Sequence, residues 1–321
     1  WVTAGMAQRL GVAWQRIAAG SVLKGREGLC RTGLHKAGLD RPSFAAAGFR
    51  WFCAAADGAS LRNAPQPVPP GSERGADGAG RTSSTRNQTE MAKFDGLDWE
   101  GSEGRELAKM HVTRMGAVCE YLKTTHGLTD LRGIRVADVG CGGGLLSASL
   151  VELGASVVAI DPVQSNVDVT SARVARHQGA SSNAGTFEGR ACTVEELLQD
   201  EGHASFDFVL SLEVIEHVNE QALFLESCSK LCSQGLILST LNRTPESYAL
   251  AILGAEYVTG MVPPGTHDWF MFVVPSEIED VIHANGLHTD EVTGLVYNPL
   301  SDSWSTSAWN TGVNYMLFAS R

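Results

Sequence analysis

Short β-branched runs at 134–139, 156–160, 206–212 and 236–240 alternate with helical patterns at 145–153, 163–177, 194–199 and 220–231. No other feature of the chain constrains its fold as tightly. Strands alternating with helices at this spacing join as right-handed βαβ units, which build a mostly parallel sheet with helices on both faces. A helix is expected ahead of the first strand, over 105–123. There Leu107, Met110, Met115, Val118, Cys119 and Leu122 recur at helical spacing and give one buried face. Ser276-Glu277-Ile278-Glu279 has the form of a capping box opening a helix that stops at Gly286. Two strand-like stretches, 287–295 and 313–319, close the chain.

The first strand runs into Asp138-x-Gly140-x-Gly142-x-Gly144. Glycines at the mouth of a first strand permit a tight turn and let a ligand lie against bare backbone, and the following helix N-terminus offers free N–H groups. A dinucleotide fingerprint would place its third glycine three residues after Gly142, where Leu145 stands. With Asp138 two residues before the loop, the pattern resembles motif I of the class I S-adenosylmethionine (SAM) methyltransferases; the other reading is the nucleotide loop of another Rossmann-like family. The second strand ends in Asp161, about 20 residues past the loop, where a carboxylate accepts from ribose hydroxyls. Val194-Glu195-Glu196 follows the expected third strand, where the adenine edge would lie.

Charge divides the chain. Residues 1–90 carry twelve Lys and Arg against six Asp and Glu, and the remainder thirteen against thirty, for a net charge of −11. The basic, acid-poor leader (1–63) has the character of an organelle transit peptide, or of a disordered basic extension with no address. Residues 64–90, rich in Pro, Gly and Ser, read as a linker, and 91–321 as the folded domain. The acidic body disfavours wrapping of nucleic acid. No apolar run approaches the length of a membrane-spanning helix. The seven cysteines form no C-x-x-C pair, which suits free thiols.

Further motifs are more selective than the loop: FDFVLSLEVIEH at 206–217, STLN at 239–242, GAEYVTGMVPPGTHDWFMFVVP at 254–275, TGLVYNP at 293–299 and VNYM at 313–316. Together they resemble the ubiquinone-biosynthesis O-methyltransferase family over residues 105–321. The resemblance implies a seven-stranded sheet ending in an antiparallel hairpin. It implies methyl transfer from SAM to a phenolate oxygen of polyprenylated catechols, and contact with other coenzyme Q biosynthesis proteins. It also implies a peripheral site on the matrix side of the mitochondrial inner membrane, in accord with the basic leader. SAM contacts carried over fall on Arg114, Gly140, Asp161 and Leu212, beside the loop residues Asp138, Gly142 and Gly144. The family's Trp-Trp-Asp and Leu-His before the arginine helix are altered here: Trp99 alone remains, and His111 is displaced.

Glu213-x-x-Glu216-His217 places three ligand types one helical turn apart. The resemblance implies Mg²⁺ on Glu213, Glu216 and His217; the same pattern is also an ordinary solvated helix start. A phenol with a pKa near 10 needs a base, and the candidates are His217, Glu213 and His267, the last of which reads equally as structural. Residues 246–263 form a weakly charged amphipathic stretch, suited to lying on a membrane surface or to covering the active site as a buried helix. Two other functions fit the residues: a SAM-binding structural subunit of a mitochondrial membrane assembly, and methylation of a smaller phenol.

Overall fold

The computed structural model describes residues 84–178, 184–252 and 267–321. The expected leader, residues 64–83 of the expected linker, and most of the 246–263 stretch lie outside the described residues.

Five strands run parallel: β1 (Arg135–Val139), β2 (Ser156–Ile160), β3 (Phe187–Arg190), β4 (Phe206–Leu212) and β5 (Cys232–Leu241). Beyond β5 the sheet continues through β6 (His288–Asn298), β7 (Ser303–Ser307) and β8 (Asn314–Ser320), in the order β3-β2-β1-β4-β5-β8-β6-β7. β8 lies antiparallel between β5 and β6. This is the expected α/β architecture with a terminal antiparallel hairpin, and one strand more than the seven anticipated. The extra strand, β7, is a Ser-rich edge (SWSTS) with no apolar alternation to announce it. β3 is similarly faint, since Phe187 is its one bulky apolar residue.

Strands β1, β2, β4 and β5 are buried on both faces, as βαβ connections require, while the edge strand β3 has no buried residue. Successive side chains feed opposite layers. Val136, Val157, Phe208, Leu210 and Ile237 pack with helices α2 (Ser102–His126) and α3 (Leu145–Glu152). Ala137, Val158, Val209, Leu236 and Leu238 pack with α5 (Val194–Glu201), α6 (Gln221–Leu231) and α7 (Pro275–Ala284). Helix α4 (Gln164–Gln178) completes the βαβ series. The strand order reverses between β1 and β4, so a crevice opens at their carboxyl ends, the switch point where such sheets bind ligands.

Local signals shift at three places. The folded part starts earlier than 91: helix α1 (Gln88–Phe94) begins inside the expected linker, N-capped by Asn87, whose side chain accepts from Glu90 N–H at 3.3 Å. Helix α7 starts at Pro275, one residue before the expected cap Ser276. Half of the box survives, with Glu277 Oε2 accepting from Val274 N–H at 3.3 Å. Four residues apart, Cys228 and Cys232 would share a face if helix α6 continued, but Cys232 opens β5, and both are fully buried.

Candidate active site

The glycine loop is shaped as its sequence requires. Gly140, Gly142 and Gly144 have φ of 80°, 49° and 76°, a region that side chains disfavour. A Cβ on Gly140 would stand 2.4 Å from Val214 Cγ2, and one on Gly144 would stand 2.8 Å from Thr170 Cα. Gly144 then caps α3. Asp138, one strand residue earlier, is buried and accepts from Ser147 Oγ at 2.5 Å, so it ties β1 to α3 beneath the loop. Burial pushes its carboxyl up to about 7.

Asp161 stands at the end of β2. Its Oδ2 accepts from Gly142 N–H (3.1 Å), and its Oδ1 from Val163 N–H (2.9 Å) and Asn166 Nδ2 (3.2 Å). Burial raises its pKa, and these donors oppose the shift. The carboxylate is thus fixed against the loop, at the mouth of a cleft of about 740 Å³ of empty space, open solvent included. Gly140, Gly142, Asp161 and Asn166 line one wall of it, and Glu213, Val214 and His217 another.

The third wall comes from residues 84–99. Thr85 donates to Glu195 through its N–H (3.0 Å) and its Oγ1 (2.7 Å), Arg86 pairs with Glu196 at 2.9 Å, and Asn219 Nδ2 donates to the Arg86 carbonyl at 2.7 Å. Glu90, Phe94 and Trp99 face the cleft. Trp99 lies over the bare backbone of the loop, so a Cβ on Gly143 would meet its indole at 2.7 Å. This strap was legible in part: Asn87-x-x-Glu90 has a capping signature that the surrounding polar composition obscures.

Arg114 on α2 is buried, 3.5 Å from Glu213 Oε1. Burial lowers its pKa, opposed by the charges of Glu213 and Glu216. Its Nε and Nη1 have no hydrogen-bond partner. A buried guanidinium with unmet donors fits a carboxylate ligand such as the methionine end of SAM. Arg114→Met is expected to destabilise the fold by about 3–5 kcal/mol, because it strands the Glu213 charge. A lowered urea midpoint, together with weaker binding of S-adenosylhomocysteine (SAH), checks this. The displaced His111 is fully buried, with Nε2 2.9 Å from Ser149 Oγ; burial pushes its pKa down to about 3, so it is a neutral packing group.

His217 ends a 3₁₀ turn (Ile215–His217). Its Nδ1 is 2.8 Å from Glu90 Oε2, and Phe94 meets its ring edge-on at 4.9 Å. Desolvation lowers its pKa, but the Glu90 hydrogen bond and the charges of Glu216, Glu90 and Glu213 outweigh it, and the net shift is upward from 6.5. His267 stands 6.2 Å from His217, centroid to centroid, and 5.9 Å from Phe272. Leu212 ends β4 as expected and packs against the core beneath the cleft.

The Mg²⁺ set implied by the resemblance is not assembled. Glu213 has φ 59°, a strained value for a side-chain-bearing residue, and its Oε1 accepts from Ser239 Oγ at 2.6 Å. Glu216 is buried and accepts from Thr240 Oγ1 at 2.8 Å, while His217 turns to Glu90. A helical turn would have stacked the three; the left-handed residue and the 3₁₀ turn send them to three different partners. Among the described residues, no group of three or more His, Cys, Asp or Glu side chains is arranged to hold a metal ion.

Residues 111–292 match the family model described as a methyltransferase domain. This match, the doubly wound sheet and the positive-φ glycine loop define a class I SAM-dependent methyltransferase. The chain is 40% identical over 246 residues to the ubiquinone biosynthesis O-methyltransferase of Azorhizobium caulinodans, covering 73% of this chain and 93% of that protein. It is 40% identical over 244 residues to the protein of that name from Parvibaculum lavamentivorans, covering 72% and 92%. The chain belongs to the ubiquinone biosynthesis O-methyltransferase family. Among solved structures, the magnesium protoporphyrin IX methyltransferase of Synechocystis PCC 6803 with bound SAH aligns at 22% identity and a TM-score of 0.49, covering 73% of this chain and 93% of that one.

Proposed function

We propose that the protein transfers the SAM methyl group to a phenolic oxygen of polyprenylated catechols on the way to ubiquinone. One observation carries this reading: a single cleft joins the bare loop and Asp161, suited to the cofactor, to an imidazole backed by a carboxylate, suited to a phenol proton. When bound, SAM supplies an already activated methyl group, so no nucleophilic side chain is needed. The residues around it hold the acceptor oxygen in line and exclude water, and Phe94, Trp99 and Val214 make that wall apolar. His217, with Nδ1 held by Glu90, takes the phenol proton at Nε2. The phenol, at about 10, is about 3.5 units weaker as an acid than an ordinary imidazolium, so full transfer before reaction costs about 5 kcal/mol, a gap that the upward shift of His217 narrows. The proton therefore leaves as the oxygen–carbon bond forms. Glu213, paired with Arg114 and Ser239, holds the floor of the cleft instead of acting as the base. His267 packs beside His217 and Phe272 as a structural neighbour.

The substrate's tail ties the site to a membrane surface. Tyr248, Leu250 and Phe270 are 46%, 60% and 73% exposed, on the two sides of residues 253–266. An apolar rim of this kind suits peripheral contact with a bilayer, beside other coenzyme Q biosynthesis proteins. No described helix is long and apolar enough to cross a membrane. The basic leader supports a mitochondrial address on the matrix side of the inner membrane, which a fusion of residues 1–63 to a fluorescent protein would read out.

Labelled SAM with a short-tailed catechol tests the whole reading. Labelled methyl is expected on a catechol oxygen, with a lower KM when the catechol carries a prenyl tail and liposomes are present. SAH binding without turnover would favour a structural subunit, and equal KM for tailed and tail-less catechols would favour a smaller phenol as substrate.

A further inference from the structure

Asp161 has too few free acceptor sites for the ligand edge it faces. A carboxylate offers about four lone-pair sites. Three are taken: two on Oδ1 by Val163 N–H and Asn166 Nδ2, and one on Oδ2 by Gly142 N–H. One site, on Oδ2, is left for a ribose diol that carries two hydroxyls. Beside it stands Asn166, 3% exposed and also lining the cleft. Its Oδ1 accepts from Trp99 Nε1 at 3.0 Å, and one hydrogen of Nδ2 goes to Asp161. The second Nδ2 hydrogen remains. An indole N–H only donates, so Trp99 dictates which way the amide faces: oxygen toward the indole, nitrogen toward Asp161 and the cleft.

We propose that Asn166 is a second ribose-binding residue, oriented by Trp99: its Nδ2 donates to one hydroxyl of the cofactor's ribose while Asp161 Oδ2 accepts from the other. The diol is then read once as donor and once as acceptor, so that the fourth site on Asp161 is filled and both Asn166 Nδ2 hydrogens are used. Trp99 thus has two tasks. It covers the glycine loop, and it sets the amide of the residue that completes the sugar site. This deepens the assignment of Asp161 to the ribose and rests on it.

Calorimetric binding of SAH and of its 2′,3′-dideoxyribose analogue separates the two. Asn166→Ala is expected to weaken SAH binding about 10-fold, the worth of one well-placed hydrogen bond, and to leave affinity for the dideoxy analogue at the wild-type value. Trp99→Phe keeps a ring over the loop but loses the N–H. It is expected to weaken SAH about 3-fold, again with no change for the analogue. Loss by the same factor for both ligands, or for neither, in these two variants overturns the proposal. Asn166→Ala strands the Trp99 N–H; where that leaves too little folded protein to titrate, Trp99→Phe carries the test by itself. Asp161→Asn distinguishes the underlying reading: if it binds both ligands as the wild type does, the ribose role of Asp161 fails; if it loses SAH selectively while Asn166→Ala and Trp99→Phe do not, only the role of Asn166 fails.

Discussion

His217→Ala is expected to lower kcat for methyl transfer by about 10²–10⁴-fold, the usual worth of a positioned general base, while SAH affinity stays near the wild-type value. The imidazole lines the cleft, and its hydrogen bond goes to Glu90 and not to the glycine loop or Asp161. The pH profile gives the sharper signature. Glu90 holds the His217 pKa above 6.5, so the neutral base accumulates only as pH rises past that raised value, and kcat climbs with it. Glu90→Gln keeps an acceptor for Nδ1 but removes the charge. The pKa then falls, and the acid limb of the kcat profile moves to lower pH, with a lower plateau from the weaker base. An unmoved limb would place the proton transfer elsewhere.

Gly140→Ala is expected to weaken SAH binding about 100-fold. A φ of 80° costs a side chain roughly 1–2 kcal/mol, and the new Cβ would lie 2.4 Å from Val214 Cγ2, inside the opposite wall of the cleft. Either the loop moves off the cofactor or Val214 moves into its space. Calorimetry with SAH measures the loss, and far-UV circular dichroism shows the sheet intact. Gly140→Ala with wild-type affinity would mean that the loop does not carry the cofactor.

Four of the five parallel strands were legible because each is a compact apolar run bounded by turn residues, and Asp161 because it stands in phase with the glycine loop. Two strands escaped for the opposite reason: Phe187–Arg190 and Ser303–Ser307 are strands through their hydrogen-bonded neighbours, not through their own residues. The reading of Glu213, Glu216 and His217 as one cluster assumed a helical turn. Glu213 instead follows directly on β4, its N–H donating to the Ser239 carbonyl at 2.9 Å, and its positive φ turns the chain, so the three side chains take different partners. Nothing local announces that kink, because the neighbouring strand and Arg114 impose it.

The residues by themselves determined the mostly parallel character of the sheet, the cradle between Asp138 and Gly144 and the methyltransferase class, since those rest on short-range sterics: glycine where φ is positive, β-branching where both faces are buried. The tertiary structure decided which groups meet in the cleft. Glu90 reaches His217 across 127 positions and Trp99 reaches Asn166 across 67. A polar segment that reads as linker became the third wall of the site because it finds its hydrogen-bond partners only once the carboxyl edge of the sheet has formed.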